Sequence, residues 1–320
     1  MATEDLKTEI RKDPLNGKSI IVIPSFEGNL YESQTTTSGR EIASSSKDGT
    51  IVKAITPEKP LFLLEERPQG TGEGIYDKLN AFGADERFLV EGSVLSGLEL
   101  LIGAFKERSL KLQTEAANGH SLRQFYAYAT YDVRNSSLVG RLLSSKEIAP
   151  NILGEIKAAE HYFAGLNKDR CMYCDIMNEE RQRVSEDQYR LVIEKGCSIG
   201  FVPFVASDQH TIHIIPSHVS RLTELSEKQI EELAYIAYRS LERIKADASK
   251  SREIDTINVA FHSAPINYPS NTELEEYYHL HIEISPGKVP VKGAPYEIPS
   301  SGWNIVTGRP KDIAEKLRQL

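Results

Sequence analysis

Two short spacings in this sequence are suited to chemistry: Cys171-Met-Tyr-Cys174 and His279-Leu-His281. Two thiolates at that separation can grip one zinc ion from a tight turn, although thioredoxin-like redox sites share the spacing. Pro216-Ser-His218, in IIPSHV, follows directly after a run that reads as a strand. A structural zinc takes four ligands in a tetrahedron, and Cys171, Cys174, His218 and His279 supply a Cys2His2 set drawn from three segments. Ligands so widely spaced would pin a larger fold. His262, in FHSAP, is a fifth candidate ligand.

His281 is then left beside the metal. An imidazole on a rigid strand can attack an α-phosphate if its other ring nitrogen is hydrogen bonded and donors meet the phosphate oxygens. Glu283 follows at the same spacing and could instead make this strand a carboxylate-and-histidine metal site. His120, His161 and His210 read as solvated or satisfied side chains, and His213 as a strand residue. Gly196-Cys-Ser198-Ile-Gly200 spells G-x-S-x-G, but the run after it reads as strand, and a nucleophile elbow needs a strand-to-helix turn. Asn16-Gly-Lys-Ser19 ends like a P-loop, yet Lys12 stands where the cradle needs glycine.

The elements that must position these groups can be read from periodicity. Residues 277–285, YYHLHIEIS, alternate strictly, so His279, His281 and Glu283 share one strand face, with Leu280, Ile282 and Ile284 on the other. Further strands are expected at 19–24, 87–92, 125–133, 211–216 and 256–262, with a strand, a turn at Gly196 and a second strand within 191–206. Helical spacing occupies 94–113 and 154–166. Ser226-Glu-Lys-Gln229 opens another helix as a capping box, with Ile230, Leu233, Ile236, Ala237, Leu241 and Ile244 on its apolar stripe. A last helix is expected near 310–319. Residues 34–50, rich in Ser and Thr, read as a mobile loop, 67–75 as a second loop, and 134–146 as a loop as well. The class is α+β, antiparallel strands with helices packed on them, and a boundary falls near residue 150.

The chain has 320 residues, 40% of them hydrophobic, enough for one large or two ordinary domains. A net charge of -8 offers no basic surface for nucleic acid. No apolar run is long enough to span a membrane. Three cysteines and a charged N-terminal stretch without an apolar core argue for the reducing cytoplasm.

Several blocks, taken in order, resemble the galactose-1-phosphate uridylyltransferase branch of the histidine-triad superfamily, which includes ADP-glucose phosphorylase and diadenosine-polyphosphate phosphorylases. They are EIRKDPLNGKSIIVIP (9–24), GIYDKLNAFGADERFLVE (74–91), CMYCDIMNEE, FVPFVASDQHTIHIIPSHVSRLTEL, FHSAP, YHLHIEISP and SGWNIVTGRPKDIAEKLRQL. The resemblance implies two histidine-triad-like halves, 1–150 and 151–320, antiparallel sheets with flanking helices, and a homodimer. It implies zinc on Cys171, Cys174, His218 and His279. An alternative family scheme, with iron or zinc on a glutamate and three histidines, would fall on Glu155, His262, His279 and His281.

The family's first-half His-Pro-His-[GS]-Gln segment has no counterpart here, because TYDVRNSSLVGRLLSSKEIAP (130–150) holds no histidine, and the first-half CxxC is absent too. The resemblance therefore implies a nucleotidyltransferase, phosphorylase or hydrolase acting on a nucleoside diphosphate sugar or dinucleotide, with His281 as nucleophile and Arg134, Arg141 and Lys146 against phosphate. The alternative is a relative that binds a nucleotide sugar or sugar phosphate without turnover.

Overall fold

The computed structural model describes residues 9–12, 19–22, 40–55, 78–79, 82–117, 122–166, 169–183, 190–204, 208, 210–251, 254–268, 274–287 and 296–306. In chain order the strands are β1 (Glu9–Lys12), β2 (Ser19–Val22), β3 (Arg40–Ser45), β4 (Ile51–Ile55), β5 (Lys78–Leu79), β6 (Phe82–Glu91), β7 (Gln124–Asp132), β8 (Ser137–Ser145), β9 (Leu191–Lys195), β10 (Ser198–Phe201), β11 (Ile212–Ile215), β12 (Thr256–His262), β13 (His281–Gly287), β14 (Tyr296–Glu297) and β15 (Asn304–Val306). The helices are α1 (Val94–Ala117), α2 (Pro150–His161), α3 (Met172–Gln182), α4 (Glu227–Ser251) and α5 (Leu274–Tyr277). The class is α+β. None of the described helices is long and apolar enough to cross a membrane.

Ten strands form one antiparallel sheet in the order β3-β4-β6-β8-β7-β12-β13-β11-β10-β9, and β14-β15-β2-β1-β5 form a smaller one. The large sheet runs unbroken across the middle of the chain through the β7–β12 pair, in which Ala260 faces Tyr128 and Thr256 faces Asp132.

Each face of the large sheet has its own core. On one face α1 and α4 pack over Phe88, Leu142, Ile257, Val259 and Phe261. Phe105 of α1 meets Phe88 and Phe261 edge-on, with ring centroids at 5.3 and 5.7 Å. This close approach requires Gly140 in β8, where a Cβ would lie 2.4 Å from Leu101 Cδ1. The α4 stripe read from the sequence is buried throughout. Its capping box is formed, with Gln229 N–H donating to Ser226 Oγ and Gln229 Oε1 accepting from Ser226 N–H.

On the opposite face Tyr126, Tyr128, Ile199, Phe201, Ile215 and Ala260 pack beneath α2, α3 and the segment from Ile298 to Trp303. Trp303 is fully enclosed and edge-on to Tyr126 at 6.0 Å. All the candidate metal and catalytic side chains gather on this second face.

Three expectations are corrected. Residues 40–45, assigned to a mobile loop, form β3, whose Ser-rich sequence hides a pairing with β4 that a bulge between Ile42 and Ser44 adjusts. The stretch 134–146, also assigned to a loop, is mostly β8, held between β6 and β7. The histidine strand begins at His281, because residues 274–277 make the single turn α5 and His279 lies between the two elements. The segments 67–75 and 310–319 lie outside the described residues, as does His120.

Candidate metal centre

The cysteine pair is presented by the start of a helix. Cys171 is extended (φ -69°, ψ 123°) and caps α3, its carbonyl accepting from Asp175 N–H at 3.1 Å. One turn then separates the two sulfurs and turns both inward. His218 lies in the turn after β11, and His279 just before β13. These two segments are tied together by Leu280 N–H donating to the Val219 carbonyl at 2.8 Å.

The ligand atoms of Cys171, Cys174, His218 and His279 lie within 4.8 Å of one another. Cys174 Sγ is 3.3 Å from His218 Nδ1 and 3.7 Å from His279 Nδ1, and Cys171 Sγ is 3.7 Å from His279 Nδ1. A tetrahedral zinc with bonds of about 2.0–2.3 Å requires neighbouring ligands about 3.3–3.8 Å apart, so these separations fit one ion.

The surroundings prepare the set for a metal. His218 Nε2 donates to the Glu275 carbonyl at 2.8 Å and His279 Nε2 to the Pro216 carbonyl at 3.0 Å. Both rings are thereby fixed in the tautomer that leaves Nδ1 facing the sulfurs, the usual service of an outer shell to metal-bound histidine. The Cys174 side chain, with help from His218 and His279, draws the Cys171 thiol down to about 2. The thiolate so formed, together with burial, pushes Cys174 upward. The same thiolate raises His218, whereas burial lowers His279 and keeps it neutral. A cation bound here would displace the remaining thiol proton, since thiolates are the metal-binding form.

A second cluster lies beside the first. The ligand atoms of Glu155, His262 and His281 also fall within 4.8 Å of one another. His262 and His281 are directly opposed on β12 and β13. His262 Nδ1 donates to Glu155 Oε1 at 2.8 Å, Tyr278 Oη donates to Glu155 Oε2 at 3.0 Å, and His281 Nε2 stands 3.6 Å from Glu155 Oε2. Burial alone would raise the Glu155 carboxyl, but positive charge and hydrogen bonds from His262 and His281 hold it well below the usual range. Burial opposes charging His262, and Glu155 overcomes it and raises that imidazole. His281 donates Nδ1–H to the His279 carbonyl at 3.1 Å, so that in the neutral ring the lone pair is on Nε2, the nitrogen nearest Glu155. Its side chain is only 3% exposed.

His279 therefore stands with the cysteines, while Glu155, His262 and His281 converge without it. Glu283 belongs to neither set. It accepts from Ser300 Oγ at 2.8 Å and lies 3.6 Å from His213 Nε2. Burial works against its charge, but His213, His262 and Ser300 bring it down to about 2.

Strand register places the basic residues. Arg141 shares a row with Tyr128, Ala260, Glu283 and His213, next to the row of Leu143, Tyr126, His262 and His281. It is buried, with its guanidinium 3.4 Å from the Tyr128 hydroxyl. Arg134 sits in the hairpin turn at the far end of β7, paired with Asp255. Lys146 follows the end of β8, three residues past Leu143. Ser198 of the G-x-S-x-G stretch begins β10 and donates to buried Glu232 at 2.8 Å, so no elbow forms. His210 is buried against Asp247 at 3.0 Å, and His161 ends α2 on the surface.

Glu155 was reached only through resemblance, though helical spacing with buried Ile152, Ile156 and Ala159 sets it at the rim of the inward stripe. Tyr173, stacked on His281, carried no mark in the sequence beyond lying between two cysteines.

Comparison of the whole fold with solved structures places it. A uridylyltransferase structure matches over 89% of this chain and 90% of its own, with a TM-score of 0.64 at 22% identity. The chain has the uridylyltransferase fold. A GalT-like protein from Arabidopsis thaliana matches over 98% of this chain and 99% of its own, with a TM-score of 0.59 at 18% identity. An ADP-glucose phosphorylase from the same plant, bound to ADP-glucose, matches to the same extent with a TM-score of 0.59 at 16% identity. No family model matches the chain, and no curated protein matches it in sequence. Within this uridylyltransferase fold, β8 carries Arg141, Leu142 and Leu143 in a buried strand and no histidine.

Proposed function

We propose that this protein works on a nucleoside diphosphate sugar or a dinucleotide, by nucleotidyl transfer or phosphorolysis, with zinc held by Cys171, Cys174, His218 and His279. The observation that carries the reading is the convergence of those four ligand atoms, with both imidazoles tied back by carbonyls, inside a uridylyltransferase fold. Mixed thiolate and imidazole donors suit zinc better than iron. Four protein ligands leave no open position, so the ion would clamp the turn at residues 171–174 to the segments around residues 218 and 279.

His281 is the nucleophile in this reading. Its Nδ1–H bond to the His279 carbonyl places the lone pair of the neutral imidazole on Nε2. Attack would form an Nε2–P bond at the α-phosphate and break the bridging P–O bond, the sugar phosphate or nucleotide leaving with the electron pair. A sugar phosphate, inorganic phosphate or water would then take the nucleotidyl group and free the imidazole. Arg141 and Lys146 would meet phosphate charge from the first-half side of the sheet. The expected setting is cytoplasmic carbohydrate metabolism, with the protein as a homodimer.

Binding without turnover is the second reading, favoured by the enclosure of His281 and by Leu143 at the register of the histidine row. One experiment separates the two. The protein is incubated with ADP-glucose, UDP-glucose or diadenosine tetraphosphate, binding is measured by calorimetry, and acid-labile adducts are mapped by mass spectrometry. A nucleotidyl group on His281, lost in His281→Ala, supports transfer. Binding with neither adduct nor product supports the second reading, and no binding to any of the three removes both.

A further inference from the structure

The ring that closes over His281 is carried by the cysteine turn itself. Tyr173 lies between Cys171 and Cys174, in the first turn of α3. Its ring stacks on the His281 imidazole, with centroids 4.8 Å apart and planes inclined by 27°. It also stands edge-on to Tyr278 at 6.1 Å and 5.9 Å from the ring of His279.

Among the described residues, the other rings around His281 belong to the sheet or to the segment leading into it. His262 is on β12 at 4.7 Å, His213 on β11 at 5.9 Å, and Tyr278 three residues before β13 at 6.3 Å. Ladder hydrogen bonds fix those strands whether or not the cysteines are held. Tyr173 differs, because its turn meets the sheet through the contacts of Cys171 and Cys174 with His218 and His279, while the far end of α3 is tied separately by Arg181 to Glu194 and to the Cys197 carbonyl. Tyr173 is 7% exposed and His281 2%, so the phenol ring is the outer member of the stack.

We infer that Tyr173 is the positioning residue of His281 and that it makes the accessibility of that imidazole depend on the cysteine–histidine clamp. With the clamp closed, the phenol ring fixes the plane of His281 and covers one of its faces, not the Nε2 edge. With the clamp released, the ring leaves and that face of His281 is opened to solvent. The inference takes from the proposed function only the metal at the clamp, and it does not depend on turnover.

The test is site-resolved modification by diethyl pyrocarbonate, with His279 and His281 distinguished by tandem mass spectrometry. Four samples are compared: the parent protein as purified, the parent after metal removal by chelation, Tyr173→Phe and Tyr173→Ala. In the parent and in Tyr173→Phe, which keeps the stack, His281 should be protected. In Tyr173→Ala and in the chelated parent its modification rate should rise by about tenfold or more, with His262 and His210 still protected, as a local rather than global opening requires. If Tyr173→Ala does not fold, Tyr173→Leu serves, because a branched aliphatic cannot stack flat. An unchanged His281 rate in these variants overturns the positioning role. A rise shared by His262 and His210 overturns it too. Protection that survives chelation while Tyr173→Ala opens would sever Tyr173 from the clamp and refute the coupling, whatever the outcome of the nucleotide experiments.

Discussion

Replacing Glu155 with glutamine tests the second cluster most directly. The Glu155 carboxylate accepts from His262 Nδ1 and from the Tyr278 hydroxyl and faces His281 Nε2, while His262 and His281 are almost wholly enclosed. Removing one partner from a buried ion pair costs about 3–5 kcal/mol. The Glu155 side chain is 25% exposed, so water recovers part of that, and the amide oxygen of glutamine still accepts one hydrogen bond. We expect Glu155→Gln to lose about 2 kcal/mol of stability, and Glu155→Ala about 3–4 kcal/mol, because the Tyr278 hydroxyl is then left unpaired as well.

The pH dependence has a definite sign. The carboxyl is held below its ordinary value, so its contribution is present above about pH 4.3 and fades as pH falls through the lowered value. His262 is held above its ordinary value, so its contribution is present below about pH 6.5 and fades as pH rises through the raised value. The deficit of Glu155→Gln should therefore be largest between those limits and shrink on both sides. Urea unfolding of parent, Glu155→Gln, His262→Gln and the double variant, at several pH values, measures both the loss and the coupling. A glutamine variant within about 0.5 kcal/mol of the parent at about pH 5.5, or losses that simply add in the double variant, would refute the ion-pair argument.

Cys171→Ser should abolish stoichiometric metal in elemental analysis and lower the melting temperature, since forming such a site is coupled to folding; retained stoichiometric metal would contradict the ligand assignment. Glu283, held at about 2, should contribute up to about 3 kcal/mol that is present above pH 4.3 and lost as pH falls toward 2, so Glu283→Gln should flatten the acid limb of the stability profile. Gly140→Ala should cost about 1–3 kcal/mol by overpacking, since the new methyl meets Leu101 Cδ1 at 2.4 Å, and denaturant titration will show whether α1 can yield.

The parts legible in the sequence were those set by local rules. Strand β12 runs over the expected residues 256–262, and Ser226 and Gln229 cap α4 as their spacing requires. The cysteine turn and its two histidines came from ligand chemistry, which is indifferent to distance along the chain. The Glu155 cage joins residues 107 apart, and which residues oppose each other on β12 and β13 is a matter of register that no local spacing encodes. The enclosure of His281 was hidden for the same reason: alternation assigns it a face of the strand but does not reveal that α2 and α3 cover that face. Strand β3 was missed because a Ser-rich edge strand owes its form to its neighbour rather than to its composition.

The seam between β7 and β12 has a practical corollary. A chain cut near residue 150 would yield two fragments, each with a newly bared, mostly apolar strand along its broken margin, β7 on one and β12 on the other. Such margins invite pairing with any extended chain. Expressed alone, either fragment should aggregate or be degraded; expressed together, they should zip into a working whole. That would make this site a natural place to divide the protein for a complementation reporter.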